Sequence, residues 1–280
     1  MTDLFNRDIS VTIGTTKIAA RVVENGQAVA RPTLRMAFSV EKSGASSPNK
    51  AELTVYNLNE THRQSLKETQ PCIIEAGYVQ QLEQIFSGDI TYAASNKEST
   101  AWVTKIQLKD GGKKYASARI NKSFGPGTQL TAVLNQAAKA LGVGLGNSST
   151  AFTDITRGMK QFTKGVAISG KVSDILDKYI STAGLQWSIQ DGQLQVLKPG
   201  ETTQQQVLLL SPSSGLIGSP ELGEKGIVKA RTLLLGGLVP GRRVKFESLT
   251  VTGFFKLERV RHYGDTWGTD WYSELEAKPL

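Results

Sequence analysis

The residue types that carry most nucleophilic and metal chemistry are scarce in this chain. Its 280 residues include one cysteine, Cys72, and two histidines, His62 and His262. A single cysteine excludes an intrachain disulfide framework. The same scarcity argues against a zinc site, because Cys and His supply most zinc ligands. Cys72 sits in Pro71-Cys-Ile-Ile-Glu-Ala-Gly, an apolar strand-like run, and reads as a small buried hydrophobe. No apolar run approaches the ~18 residues of a membrane span, so no stable membrane insertion is expected. The start, Met1-Thr-Asp-Leu-Phe-Asn-Arg-Asp-Ile, lacks a basic stretch followed by an apolar one. It therefore reads as having no signal peptide, and assembly in a cytoplasm is the expectation.

Clustered charge is missing too. The net charge is +8, which permits nucleic-acid contact through counterion release. Yet the excess of Lys and Arg is spread over the whole length, with no basic arm and no aromatic-basic signature of a nucleic-acid module. At 39% apolar and 21% charged residues, the composition is that of a globular protein.

What is present is mostly period-2 patterning. In residues 1–120, Leu34, Met36, Phe38 and Val40 alternate with polar or small residues, as do Ala51, Leu53 and Val55. Further strands are expected at 72–77, 84–92 and 102–109. A short helix is expected at 61–69, where Thr61 and Gln64 have capping-box spacing and Pro71 bars continuation. Asp110-Gly-Gly marks a tight turn. Residues 121–200 switch to helical spacing. Leu130, Val133, Leu134, Ala137, Ala138 and Leu141 form one face, with Thr128 as its cap and Gly142 as its end. Val172, Ile175, Leu176, Tyr179, Ile180 and Ala183 repeat that face, closed by Gly184. A hairpin turning at Asp191-Gly192 follows, and the whole reads as a small α/β module. Residues 201–280 return to strands, at 207–210, 227–235, 243–249, 254–261 and 271–277, with a bulge expected near Val260. The fold class is thus α+β and β-rich, with domains at 1–120, 121–200 and 201–280.

Reaction chemistry is hard to find. There is no Gly-x-Ser-x-Gly elbow, no His-Glu-x-x-His and no Walker loop. No metal or cofactor is called for. Asp265 and Asp270 flank Trp267 in Gly264-Asp-Thr-Trp-Gly-Thr-Asp, which admits a carbohydrate or metal loop, but Asp and Gly there also serve an ordinary turn. His262 reads as a strand-end residue bonded to that loop, and His62 as solvated. Gly215-Leu-Ile-Gly-Ser-Pro and Gly236-Gly-Leu-Val-Pro-Gly-Arg-Arg read as apolar loops. Their Leu216, Ile217, Leu238 and Val239, with Asp265 and Trp267, are the candidate subunit or spike contacts.

Several phrases in order resemble one family. They are Ala51-Glu-Leu-Thr-Val-Tyr-Asn-Leu-Asn, Glu75-Ala-Gly-Tyr, Ile85-Phe-Ser-Gly-Asp-Ile, Gly215-Leu-Ile-Gly-Ser-Pro, Pro240-Gly-Arg and His262-Tyr-Gly-Asp-Thr. They look like phage baseplate hub, or tail-tip hub, proteins of the late-control protein D type, related to the hub part of type VI secretion spikes. The resemblance implies two tube-protein-like antiparallel β-barrel domains, 1–120 and 201–280, with residues 121–200 as an inserted module. It implies a non-enzymatic homotrimer in the virion tail, assembled in the host cytoplasm, adapting the tail tube to a central spike protein. Tube or tube-initiator proteins and the tape-measure protein would be its neighbours, with DNA passing through the lumen. The spike is expected as a separate polypeptide, since no β-helix repeat follows, and no lysozyme or peptidase domain is appended. The alternatives are a tube-initiator or distal tail protein, a tail-associated cell-wall hydrolase and a nucleic-acid-binding module.

Overall fold

Alternation of buried and exposed side chains builds thirteen strands into one sheet, antiparallel except for a single parallel pair. The computed structural model describes residues 6–24, 27–28, 31–79, 81–146 and 162–280. Met1–Phe5, where the start was read for a leader, lie outside the described residues. The first region contributes β1 (Arg7–Ile13), β2 (Thr16–Ala19), two-residue strands β3 (Val23–Glu24) and β4 (Gln27–Ala28), β5 (Met36–Ser43) and β6 (Lys50–Tyr56). The short helix α1 (Glu60–Ser65) precedes β7 (Pro71–Tyr78), β8 (Gln81–Glu98) and β9 (Ala101–Lys109). The middle region holds α2 (Gly112–Ser117), β10 (Arg119–Phe124), α3 (Leu130–Leu141), β11 (Gly144–Leu145) and β12 (Val166–Lys171). It ends with α4 (Val172–Thr182) and the hairpin β13 (Gln186–Gln190) and β14 (Gln193–Leu197). The last region holds β15 (Leu208–Leu210), β16 (Leu216–Leu222), β17 (Val228–Leu233), β18 (Arg243–Glu247), β19 (Thr252–Asp265) and β20 (Trp271–Pro279).

The strand order is β16-β17-β20-β19-β5-β6-β9-β8-β7-β1-β2, with β18 also on β19 and β15 parallel to β18. The joint is β19. At 14 residues it is long enough to pair β18 with its first half and β5 from Arg259 to Asp265, while β20 runs along its other side. The two β-rich regions are therefore continuous across β19–β5. Neither region is closed into a barrel by a strand ladder among the described residues, although both curl. In the last region the two edge strands, β15 and β16, are joined by only Ser211–Gly215, which holds their ends together. In the first, the Thr33 and Leu34 amides both donate to the Ala20 carbonyl, drawing the far edge toward β5.

Three apolar clusters fill the molecule. The first lies in the N-terminal region and includes Met36, Phe38, Leu53, Ile74 and Phe86, plus Leu234 and Trp271 from the last region. Trp271 packs edge-on against Phe38 at 5.3 Å, and its indole N–H donates to the Gly77 carbonyl at 3.0 Å. Burying such a ring stabilises by about 2–3 kcal/mol, so this one side chain ties the two regions together. The second cluster packs α3 and α4 against β13 and β14. The third lies in the last region, around Val244, Phe246, Phe255 and Leu257.

Several local expectations change. Helix α1 is capped by Asn59, not Thr61, because the Asn59 side chain reaches the His62 amide at 2.8 Å. Thr128 does not cap α3; its hydroxyl donates to the Gly125 carbonyl instead. Residues 215–220, read as an apolar loop, fall from Leu216 onward in β16, in which the register shifts between Ile217 and Glu221. The bulge in β19 falls between Leu257 and Arg259, just before Val260. Asp191 and Gly192 both have positive φ, 53° and 76°, as a two-residue hairpin turn demands.

Candidate assembly surfaces and the polar junction

The candidate contact residues separate by environment. Leu216 and Leu238 are buried in the third cluster, so their side chains present no surface. Val239 is half-buried. Ile217 on β16 is 38% exposed and Trp267 is 62% exposed.

Trp267 is held rigidly despite that exposure. Its indole N–H donates to the Pro32 carbonyl at 3.2 Å, and its amide donates to Asp265 Oδ1 at 2.9 Å. Asp265 also takes a bidentate pair from Arg35, at 3.1 Å from Nε and 2.7 Å from Nη2. Partial burial opposes ionisation of Asp265. The Arg35 guanidinium and the Trp267 and Gly268 amides outweigh it and hold the carboxyl below its usual range. Arg7 reaches across to the Gly268 and Thr269 carbonyls, both at 2.8 Å. A fixed, exposed indole on a braced loop has the form of an interface anchor. Asp270 is exposed, and its carbonyl accepts the Asp265 amide.

Between β8 and β16 the sheet has a solvated face patterned by charge. Cross-strand neighbours share a face, and one row runs Arg231, Glu274, Arg261, Glu41, Lys50, Lys109, Asp89. A groove of about 960 Å3 crosses the β16 end of this face. Its rims are the 45–48 loop and Ile217–Ser219. Among the described residues, both ends of this span lack a strand partner on one side: β16 pairs with β17 alone, and β8 with β9 alone from Tyr92 to Glu98, because β7 stops at the level of Asp89.

A buried polar junction joins the middle module to this sheet. The Lys42 ammonium, its side chain 1% exposed, lies 2.7 Å from each carboxylate oxygen of Asp191 at the tip of the β13–β14 hairpin. The Ser87 amide donates to Asp191, and the Gly192 amide donates to Asp110 Oδ1 at 2.8 Å. Asn49 donates to the Ile189 carbonyl and to Gln190, which in turn donates to the Ser43 carbonyl. Asp110 is fully buried, and its Oδ2 has no hydrogen-bond partner. Burial, with nearby Asp191 adding to it, pushes the Asp110 carboxyl up to about 7 against the opposing effect of the Gly192 amide. Behind the junction, His262 is fully buried, meets Ser273 Oγ at 2.8 Å and donates to the Leu238 carbonyl. Burial and the Lys42 charge depress it to about 3.

None of this junction stood out as a site in the sequence. Asp110 and Asp191 read only as turn residues, each before a glycine. The usable signal was Lys42. It continues the buried series Met36, Phe38, Val40 at the same period, so a lysine falls where the core is due.

No curated protein sequence matches the chain. The fold has close counterparts among solved structures. It superposes on the 43 kDa tail protein of prophage MuSo2 from Shewanella oneidensis with a TM-score of 0.65, at 8% identity and 98% coverage of both chains. A tail protein from Neisseria meningitidis MC58 gives a TM-score of 0.60 at 12% identity, covering 98% of this chain and 97% of that one. The E. coli c3393 protein is described as a type VI secretion component with structural similarity to the T4 tail proteins gp27 and gp5. It gives a TM-score of 0.62 at 11% identity, covering 96% of this chain and 76% of its own. The sequence model of one family, described as baseplate hub gp41, matches residues 16–250. That match spans most of the length and both β-rich regions, and with it the chain belongs to the baseplate hub gp41 family of phage tail proteins.

Proposed function

We propose that this baseplate protein is a non-enzymatic hub subunit that forms a homotrimeric ring between the tail tube and a central spike protein. The observation that carries the reading is the open eight-strand span from β8 to β16, with a free strand edge at each end. Free edges that differ from one another favour a heterologous, head-to-tail contact, which closes into a ring when the rotation allows. Eight is an even number, and every neighbouring pair in the span is antiparallel. The two edge strands therefore run in opposite directions, and a rotated copy would extend the antiparallel ladder. The regions 1–120 and 201–280 would then be two tube-like units per subunit. Three copies would give six units facing a six-fold tube and a three-fold spike.

The polar row of the sheet would face the lumen, where the tape-measure protein and DNA pass. Trp267 and Asp265, at the far end of the β19–β20 hairpin, would meet the spike or a neighbouring subunit. Assembly would take place in the host cytoplasm. A hydrolytic role finds little support, because Asp265 is bound to Arg35 and kept ionised, the opposite of what a general acid requires.

The test is negative-stain electron microscopy of the concentrated protein, alone and with the spike protein. Three-fold rings, lost in Ile217→Asp while circular dichroism is unchanged, are the expected result. Six-fold rings would instead indicate a tube-initiator or distal tail protein. Monomers that stay monomeric with the spike present would refute the hub.

A further inference from the structure

We propose that the outward face of β15, β18, β19 and β20 is a docking surface for an acidic, apolar segment of a partner polypeptide. This face continues the polar row along β19 and β20 past Glu276 and is separate from the edges used in the ring, and the proposal stands on the monomer alone. The opposite side of the same strands is core. Leu210, Val244, Phe246, Phe255 and Leu257 all point into the third cluster. Strand alternation therefore sends their neighbours to solvent, where polar residues are the rule.

Here the rule is broken along one row. Leu209 pairs with Lys245, Lys245 with Phe254, and the Leu280 amide bonds the Phe254 carbonyl, which puts Leu280 next in line. Leu209, Phe254 and Leu280 are 41%, 49% and 53% exposed. Phe254 and Leu280 are adjacent in this row and Leu209 lies one position beyond Lys245, so three exposed large side chains share one row, unlike a single stray leucine.

The charge beside that strip is one-sided. Arg243, Lys256 and Lys278 form the adjacent row. Arg243 and Lys245 each lie 5.9 Å from the centre of the Phe254 ring. Lys245 pairs with Glu247, but Arg243 and Lys278 enter no ion pair among the described residues. The Lys256 side chain is only 8% exposed, yet its nearest carboxylate, Glu258, is 3.8 Å away. Lys256 and Lys278 wall a pocket of about 180 Å3 with Gln186, Pro199 and Glu258. Arg243, Lys245, Lys256 and Lys278 outnumber Glu247, Glu258 and the Leu280 terminal carboxylate around the strip, which leaves it short of negative charge. A partner carboxylate entering the pocket would supply it, while neighbouring apolar side chains cover Phe254 and Leu209. A basic segment would be repelled by the same groups.

The probe is a fluorescein-labelled peptide of alternating aspartate and leucine, titrated with the full chain and followed by anisotropy. Saturable binding that weakens with added salt is expected, with none for the matching lysine–leucine peptide. Phe254→Ser, Arg243→Glu and Lys278→Glu alter exposed side chains and should each weaken binding by about tenfold. Leu249→Ser, at a fully exposed turn leucine, should leave it unchanged. The proposal is overturned by the absence of saturable binding or by equal binding to the variants. It is also overturned if phosphatidylglycerol vesicles bind where the peptide does not, which would make this a lipid face. Self-association abolished by Phe254→Ser, with no peptide binding, would make the occupant a second copy.

Discussion

Replacing Asp110 with asparagine isolates the energetic cost of the buried junction. In the folded protein the Asp110 carboxyl titrates at about 7, against 3.8 for the ordinary group. The native state therefore keeps a proton between those values that the unfolded chain has already released. Stability falls as pH rises through that window and has lost the full amount above about 7. Three units of difference correspond to about 4 kcal/mol, an upper figure because local relaxation reduces it. Asparagine never ionises. Its carbonyl oxygen can still accept the Gly192 amide, and its NH2 takes the place of the unpartnered Oδ2. Below pH 4 the variant should match the wild type, whose neutral carboxyl has the same unpaired donor. At pH 8 the variant should be more stable by a few kcal/mol. Urea denaturation followed by tryptophan fluorescence, from pH 4 to 9, reads the difference directly. Other titrating groups cancel because both proteins share them. A stability difference that stays flat across this range, or an Asp110→Asn protein weaker at pH 8, would refute the reasoning.

Lys42→Met should cost about 3 kcal/mol in the same denaturation assay, because it strands the Asp191 carboxylate, and adding Asp191→Asn should recover much of the loss. His262 is depressed to about 3, so the native state refuses a proton that the unfolded chain accepts below 6.5. Stability should fall as pH drops from 6.5 toward 3, and His262→Gln should flatten that limb of the pH–stability curve. Burial pushes the Cys72 thiol up to about 12, so maleimide should label it only as fast as the protein unfolds, and labelling of the native protein within minutes would contradict its placement.

Much of the fold was legible because burial follows period in this chain. The β5, β6, β9, α3, α4 and β20 patterns stand in the sequence at nearly their final positions. What escaped was of three kinds. β16 contains Gly218 and Pro220 and carries a register shift, so its pattern is broken in the way that irregular edge strands often are. The cap of α1 is Asn59, two residues before Thr61, and its side chain takes the His62 amide. The junction was invisible because it is tertiary. Asp110, Asp191 and Lys42 are up to 149 positions apart, and nothing local in a turn aspartate says that a buried lysine will meet it. Leu216 and Leu238 were misleading for the opposite reason. They sit between glycines and prolines, as loop residues do, yet the chain folds back and covers them.

The way the three regions are joined bears on the hub reading. The first and last regions share backbone hydrogen bonds along β19 and β5, and they share the first apolar cluster through Leu234 and Trp271. Moving one against the other would break a seven-residue ladder and withdraw a buried indole, so they act as one wall. The middle module is attached differently. Its apolar cluster draws every member from residues 115–196, and its hydrogen bonds to the wall include those made by Lys42, Asn49, Ser87, Asp110, Tyr115, Gln190 and Gln195. Polar attachment fixes orientation through bond geometry while adding little net stability. A ring of the kind proposed would need this division. The wall must be stiff, since any hinge within it would alter the ring's diameter. A peripheral module can then vary in size or sequence, provided that the hairpin tip still offers its carboxylate to Lys42.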